Sequence, residues 1–527
     1  MSVIAESAAE GRRDAQPYDG LTNRFRKPDF WVRWLGRATY LVLLLLVAGA
    51  PFAPHFVQFA SRVAFTLWLV RVVVQRRPLR RQPLVLPFLV FFGVAGLSAL
   101  FSYDLLLSWT RLGWFGIGVL TLIVPGTLES RRELKLLIAV LLAASFISGV
   151  RTAWQYTVGI GTKLAYVRRD CPLAGDGLWS GDMIQEISGH RTRTPAQWRR
   201  ALQLTRNDQK LKLHVARTYP LQHFDVVIAR SDLDGWLADP TASLARGTPL
   251  RAQGGFYNSI PYAGLLMVLA ALACGLWLST PKAASWVVLG ALTFLLSASL
   301  WLTVTRAYII AFLISVLLMF CWRAEQRLRR ISLIAVLVGA AATLVWTRDA
   351  RHLSRWYGEE DQSRVMMWKD SPRLIIRHPL LGIGWDSVFS HGLRWNLQAY
   401  KTYPQKLSHF HSTPLQITVD AGILGLAAWI WLLAAWFRLL LQNLQLAKGK
   451  DWFSQGLALG LLGSATGFVI ASSVHYTLGD GEVMGTLWCL MGCAVVLHSQ
   501  LRSQQSAMSA SLSRHSLAKA DAGRSIK

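Results

Sequence analysis

The sequence predicts an all-α polytopic membrane protein with about twelve transmembrane helices and two large polar loops containing short helices. Three observations carry this. Hydrophobic residues make up 53% of the 527 residues and charged residues only 16%, with a mean hydropathy of +0.33. Apolar runs near 20 residues, the length a helix needs to cross the hydrocarbon layer, recur along the whole chain. Lys and Arg gather in alternate short connections between those runs, as membrane topology requires.

Residues 1–33 precede the first run by too far, and lack the small-residue site, for a cleaved signal peptide; they are expected to form a cytoplasmic tail. Five runs follow within 34–154, at about 35–52, 55–75, 84–101, 108–126 and 134–154. Four more lie within 257–347, at 257–279, 284–302, 307–322 and 331–347, and three within 415–500, at 415–441, 454–474 and 481–499. The connections RRPLRRQ (76–82), ESRRELK (129–135), RAEQRLRR (323–330) and AKGK (447–450) are basic and fall on one side with both tails, which assigns that side to the cytoplasm. PFAPH (51–55), FSYDL (101–105) and VHYTLGDGE (474–482) lie on the other side and are poor in Lys and Arg. The two long polar segments, 155–256 and 348–414, then both fall on the non-cytoplasmic face, where function is expected to reside. The Ser- and Ala-rich stretch 501–527 has too little apolar content to fold alone and is expected to be a disordered cytoplasmic tail.

The formal charge of +27 is largely accounted for by these basic connections and implies no nucleic-acid partner. The 23 Trp residues suit the membrane interface, and in the loops their rings also suit sugar faces. Four of the five cysteines fall in apolar runs, so neither a disulfide framework nor a CxxC metal motif is expected.

Two stretches share a helix-start pattern. In TPAQWRRALQL, Thr194 is an expected N-cap with Pro195 at N1 and Gln197 at N3, starting a helix that carries Arg199 and Arg200. In LSHFHSTPLQITVDAGILGL, Thr413, Pro414 and Gln416 repeat the pattern at the head of the tenth run. His411 lies just before that helix N-terminus, whose partial positive charge favours the neutral ring, so the placement suits a general base at neutral pH. A histidine satisfied by interface hydrogen bonds is the plain alternative. A zinc site built on His409 and His411 is a third, although no further ligand cluster lies nearby in sequence. Asp420, nine residues after His411, is expected on the opposite helical face and is not paired with it.

Arg306, in WLTVTRAYIIAF, stands in an otherwise apolar run with no acidic residue within a turn. A guanidinium at the outer end of a span suits an anionic ligand such as a phosphate, or equally snorkels at a tight turn. In DQSRVMMWKDSPRLIIRHPLLGIG, Arg364 and Trp368 are i,i+4 neighbours on an expected helix, and Gly382 and Gly384 allow a tight turn after it.

His411-Ser412, nine further residues and then Gly422-Ile-Leu-Gly425 resembles the H[NSQ]x9Gxx[GTY] pattern of the O-antigen ligases, placed as in that family at the end of the large second periplasmic loop. HPLLGIG at 378–384, preceded by Arg364 and Trp368, and Thr305-Arg306 at the outer end of a span resemble further elements of the same superfamily. Ser412 stands where Asn is commoner. The resemblance covers about 255–500 and implies a bacterial inner-membrane glycosyltransferase of Gram-negative cells, with both large loops periplasmic and no metal, nucleotide or other cofactor. It implies an undecaprenyl-pyrophosphate-linked O-antigen donor and a lipid A-core acceptor. It also implies His411 as the base, with Arg306 and Arg364 as the catalytic arginines. His409, Arg377, Arg191, Arg193 and Trp368 are expected substrate contacts. A protein O-oligosaccharyltransferase and an O-antigen polymerase share the pattern. A non-enzymatic transporter of the lipid-linked glycan is the reading from another class.

Overall fold

The computed structural model describes residues 28–75, 82–218, 221–249, 251–256, 258–323, 338–339, 341–342, 356–392, 394–402 and 409–524. Among the described residues ten helices are long and apolar enough to cross a membrane. They are Phe30–Gly49, His55–Gln75, Leu105–Thr127, Arg131–Val158, Ser259–Trp277, Ala283–Leu302, Arg306–Arg323, Thr413–Ala447, Trp452–Ser472 and Gly481–Ser509. Val85–Leu100, apolar but 16 residues long, occupies the third expected run. The ninth expected run, 331–347, lies outside the described residues apart from four helical positions. In hydrocarbon every backbone polar group must be satisfied within the chain, so long apolar runs fold as helices. The result is compatible with an all-α polytopic membrane protein.

Three helices are the most buried in the bundle, Ser259–Trp277, Gly481–Ser509 and Trp452–Ser472, and the first and last of these pack directly against each other. A Cβ at Gly275 would sit 2.2 Å from the backbone nitrogen of Gly460, so small residues are what let these two helices approach so closely.

The first long polar segment differs from its expectation. It holds six strands, β1 (Gly161–Tyr166), β2 (Met183–Ile187), β3 (His190–Arg191), β4 (Lys210–Thr218), β5 (Leu221–Ala229) and β6 (Ser243–Gly247). They form an antiparallel sheet in the order β5-β4-β2-β1-β6, with β3 paired to β2. Helices Pro195–Leu204 and Arg230–Ala238 complete the domain, contributing Trp198, Leu233 and Trp236 to a core with Ile184, Ile187, Leu211, Leu213, Val215 and Ile228. This segment is an α+β domain, not a loop of short helices. The reason is visible in β4, where Leu211, Leu213 and Val215 are buried while Lys210, Lys212 and His214 are not, a period of two that only a strand can bury on one face.

The second polar segment is helical, with Trp356–Arg377 followed by the short helices Ser387–Ser390 and Gln398–Thr402. Met367, Leu374, Ile383, Val388, Leu397 and Phe410 form its own small core. The last helix runs on from the membrane to Arg524, through the stretch whose composition argues against independent folding. Its Ser- and Ala-rich residues extend a helix already nucleated in the bundle, which removes the costly first turn.

Candidate functional site

The helix that follows His411 is broken. Gly422 has φ 68° and ψ −170°, so Thr413–Ala447 consists of a short first piece and a longer second one. The HPLLGIG segment crosses at the break. Ile383 N–H donates to the Val419 carbonyl (3.0 Å) and Gly384 N–H to the Asp420 carbonyl (2.9 Å), and Ile423 N–H donates back to the Pro379 carbonyl (2.8 Å). Ser98 Oγ gives the Asp420 carbonyl a second donor at 2.7 Å. Carbonyls and amides freed by the break are thereby satisfied.

The two segments touch backbone to backbone. A Cβ at Gly422 would lie 2.1 Å from the Leu380 oxygen and one at Gly382, itself at φ 69°, 2.4 Å from the Asp420 oxygen. Both positions need glycine for conformation and for space. The spacing from His411 to Gly422 thus has a structural cause: it sets the length of the short helical piece between the histidine and the crossing.

That piece does not start as its sequence predicts. The N-cap is Ser412, which makes no side-chain cap. Thr413 Oγ1 instead donates to the His475 carbonyl at 3.0 Å, and Thr413 N–H points to the same oxygen at 3.2 Å. Gln416 Oε1 accepts from Phe410 N–H (2.8 Å) and Gln416 Nε2 donates to Asp420 Oδ2 (2.8 Å). Asp420 therefore does serve the histidine segment, through Gln416. Trp368 Nε1 donates to the Phe410 carbonyl at 2.8 Å, so this ring anchors the residue before His411. Held from three sides, His411 itself adopts φ 49°, a conformation a non-glycine residue keeps only when its surroundings enforce it.

The rings of His409 and His411 lie 4.2 Å apart, and His409 meets Tyr476 at 5.3 Å. Burial, then His409, then the Arg364 guanidinium, then His475 push the His411 imidazole far below the usual histidine range. Burial and Arg364 bring His409 down to about 4. Both rings are neutral at pH 7, a more decisive cause than the helix dipole. Arg364 thus stands beside both histidines, on the Trp356–Arg377 helix one turn before Trp368. Arg306 is the first residue of its own helix and half-buried. Tyr308, in the same turn, stacks on His475 with ring centroids 5.0 Å apart, and so joins the start of that helix to the histidine group.

A cavity of about 210 Å³ opens against His409, lined among others by Arg111, Trp385, Asp386, Tyr476 and Asp480. Arg111 Nε holds Asp386 at 2.7 Å. Burial raises Asp386 despite that partner, and raises Asp480 well above the usual carboxylate range with help from Glu482. Burial above all pushes the Tyr476 phenol well above its usual range. None of these groups stood out in the sequence. VHYTLGDGE carried the signal, two aromatic or imidazole rings and two acids in a nine-residue connection, but charge bias alone marks it only as an outer loop.

Other expected contacts are placed elsewhere. Arg191 faces Glu186 at 4.0 Å on the sheet domain, Arg193 lies over the Trp154 ring at 4.9 Å, and Arg377 is exposed in the last turn of its helix. Among the described residues no three His, Cys, Asp or Glu side chains come together as a metal ion requires.

Fold and site define a multi-pass membrane protein with neutral imidazoles and a guanidinium gathered where a broken helix leaves the bundle. Residues 291–430 match the family model described as O-antigen ligase, a likeness that covers that span of the chain. Members of that family are membrane glycosyltransferase-like enzymes, working in general with a lipid-linked glycan donor and a lipid-type acceptor. Arg306, Arg364, Trp368, the HPLLGIG crossing, His411 and Gly422 lie inside the matched span, whereas the sheet domain and the 474–482 connection lie outside it. A comparison with curated proteins gave no match.

Proposed function

We propose that the protein transfers a finished glycan from undecaprenyl pyrophosphate to the sugar core of lipid A, at the periplasmic face of the inner membrane. The observation that carries the reading is the half-buried His411, held neutral beside Arg364 and a second imidazole. The acceptor hydroxyl gives its proton to the His411 imidazole as its oxygen bonds to the anomeric carbon. The bond from that carbon to the pyrophosphate oxygen breaks in the same step, with inversion. General-base assistance of this kind is worth roughly 10²–10⁴-fold. The departing pyrophosphate takes the electron pair, and Arg306 and Arg364 stabilise the charge as it forms.

A base pushed so low is weak until its surroundings change. Arg364 is one cause of the depression, and a pyrophosphate seated on Arg364 offsets that positive charge. Donor binding therefore raises the basicity of His411 in the direction that proton abstraction needs. The cavity against His409 offers carboxyl, phenol and guanidinium groups beside the Trp385 ring, a mixture suited to the hydroxyls and face of a sugar, and we assign it to the acceptor. This makes His409 a substrate contact. Both substrates being lipid-anchored accounts for a site at the membrane surface.

The test is made in cells that supply the lipid-linked glycan. His411→Ala is expected to abolish glycan-capped lipopolysaccharide while the protein inserts normally and the donor accumulates on the outer leaflet. Capped product at the normal level would remove His411 from the base role. Donor stranded on the cytoplasmic leaflet would favour transport instead.

A further inference from the structure

The turn that presents Arg306 is gripped by the two stretches of chain that flank the inserted sheet domain. Ala283–Leu302 ends at a turn, Thr303–Thr305, and Arg306 begins the next helix. Val304 in the middle of that turn has φ 54°, a left-handed conformation that a β-branched residue resists. Thr303 and Thr305 are almost fully buried, at 0% and 2% exposure, so the turn is packed away from water and its geometry is imposed by neighbours.

Those neighbours are the two roots of the sheet domain. On the exit side, Arg251 Nε donates to the Thr303 carbonyl (2.9 Å), Arg251 Nη2 donates to Thr305 Oγ1 (2.8 Å), and Ala252 N–H donates to the Leu302 carbonyl (2.8 Å). On the entry side, the Tyr156 hydroxyl donates to the same Leu302 carbonyl at 3.1 Å. Arg251 is itself buried, at 8% exposure. Its planar fork reaches the residues on either side of Val304 at once, which the single ammonium of lysine cannot reproduce.

We propose that Arg251 is a positioning residue for the donor site: it holds the strained Thr303–Thr305 turn closed and so fixes where Arg306 presents its guanidinium. The inserted domain is then a part of the site's framework and not an appendage to it. This rests on the reading of Arg306 as a pyrophosphate contact. It adds a residue outside the matched family span and a role for a domain that the family resemblance leaves unexplained.

Farnesyl pyrophosphate, a short isoprenyl pyrophosphate, serves as the probe for the purified full-length protein in detergent. Arg251→Ala is expected to weaken its binding about tenfold or more, a loss in keeping with the sensitivity of such sites to a displacement of about 1 Å. Arg251→Lys should fall close to Arg251→Ala. The readout that a merely structural role would not move is rescue. Glycine adopts positive φ without strain, so Arg251→Ala combined with Val304→Gly should recover most of the affinity, while Val304→Gly alone binds as the wild type does.

Thermal melting of each variant checks that loss of binding is not loss of fold. Wild-type affinity in Arg251→Ala, alongside a clear loss in Arg306→Ala, would overturn the positioning role and leave the arginine assignment intact. Failure of Val304→Gly to restore any affinity to a folded Arg251→Ala protein would also overturn it. Wild-type affinity in Arg306→Ala would remove the arginine assignment itself, and the positioning role with it.

Discussion

Two helix starts in this protein share the pattern Thr-Pro-x-Gln, and they fold differently. At 194–197 the bonds stay local: Gln197 N–H donates to the Thr194 Oγ1 cap at 3.2 Å, and Gln197 Oε1 reaches back to accept from Arg193 N–H, one residue before the cap, at 3.0 Å. At 413–416 every one of those groups is used elsewhere. Thr413 is bound to His475, and Gln416 bridges Phe410 and Asp420. The first start lies at the surface of a sheet domain, where little competes with the local hydrogen bonds. The second lies under a histidine loop, between a broken helix and the 474–482 connection, and partners distant in sequence take its side chains. A capping pattern states what a helix start does when left alone; its violation marks a place where something else is being held.

Gly422, which creates the conditions that override the second start, breaks the comparison most severely. Gly422→Ala places a Cβ against the Leu380 carbonyl at a backbone conformation that alanine resists, and should cost about 3 kcal/mol or more. Expression in the membrane and the melting temperature in detergent measure this, and a variant with wild-type melting behaviour would show that the crossing is not tight. Gln416→Leu comes next. It strips the buried Phe410 N–H and the Asp420 carboxyl of their partner, about 1–3 kcal/mol for each group left unsatisfied, and should lower transfer as well as stability because His411 loses a support. Gln197→Ala, the matching change at the other start, should leave transfer untouched.

A smaller effect is expected from pH. His409 titrates at about 4 in the folded protein against about 6.5 unfolded. Between those values the unfolded chain binds protons that the folded chain does not, so this contribution is complete above pH of about 6.5 and is lost as pH falls toward 4. Melting temperatures at pH 7.5 and pH 5 should therefore differ, and His409→Gln should narrow the difference. An unchanged difference would place the acid sensitivity elsewhere. The smallest effect is at the first start, where Thr194→Ala should cost about 1 kcal/mol with no change in activity.

The contrast also explains what the sequence made legible. Eleven of the expected apolar runs coincide with helices, counting the ten long ones and Val85–Leu100, because a membrane leaves an apolar run of that length one outcome. The sheet domain was missed although Lys210–Val215 alternates plainly, since five-residue strands such as β2 and β6 give little signal within a hundred polar residues. His411, Arg306, Arg364 and Trp368 were legible as residues, and the i,i+4 pairing of Arg364 with Trp368 holds in the helix. What Trp368 holds, what Gly422 touches and why Tyr476 and Asp480 share a cavity with His409 depend on segments about 40 to 70 residues apart, which no local pattern encodes.

In the proposed mechanism one imidazole of the neighbouring pair takes the acceptor's proton. Transfer rates of His411→Ala and His409→Ala, measured side by side in membranes supplied with donor and acceptor, test it most directly. The account predicts a loss of roughly 10²-fold or more for His411→Ala and a much smaller loss, felt mainly in acceptor KM, for His409→Ala. Equal losses, or the larger loss at His409, would contradict it.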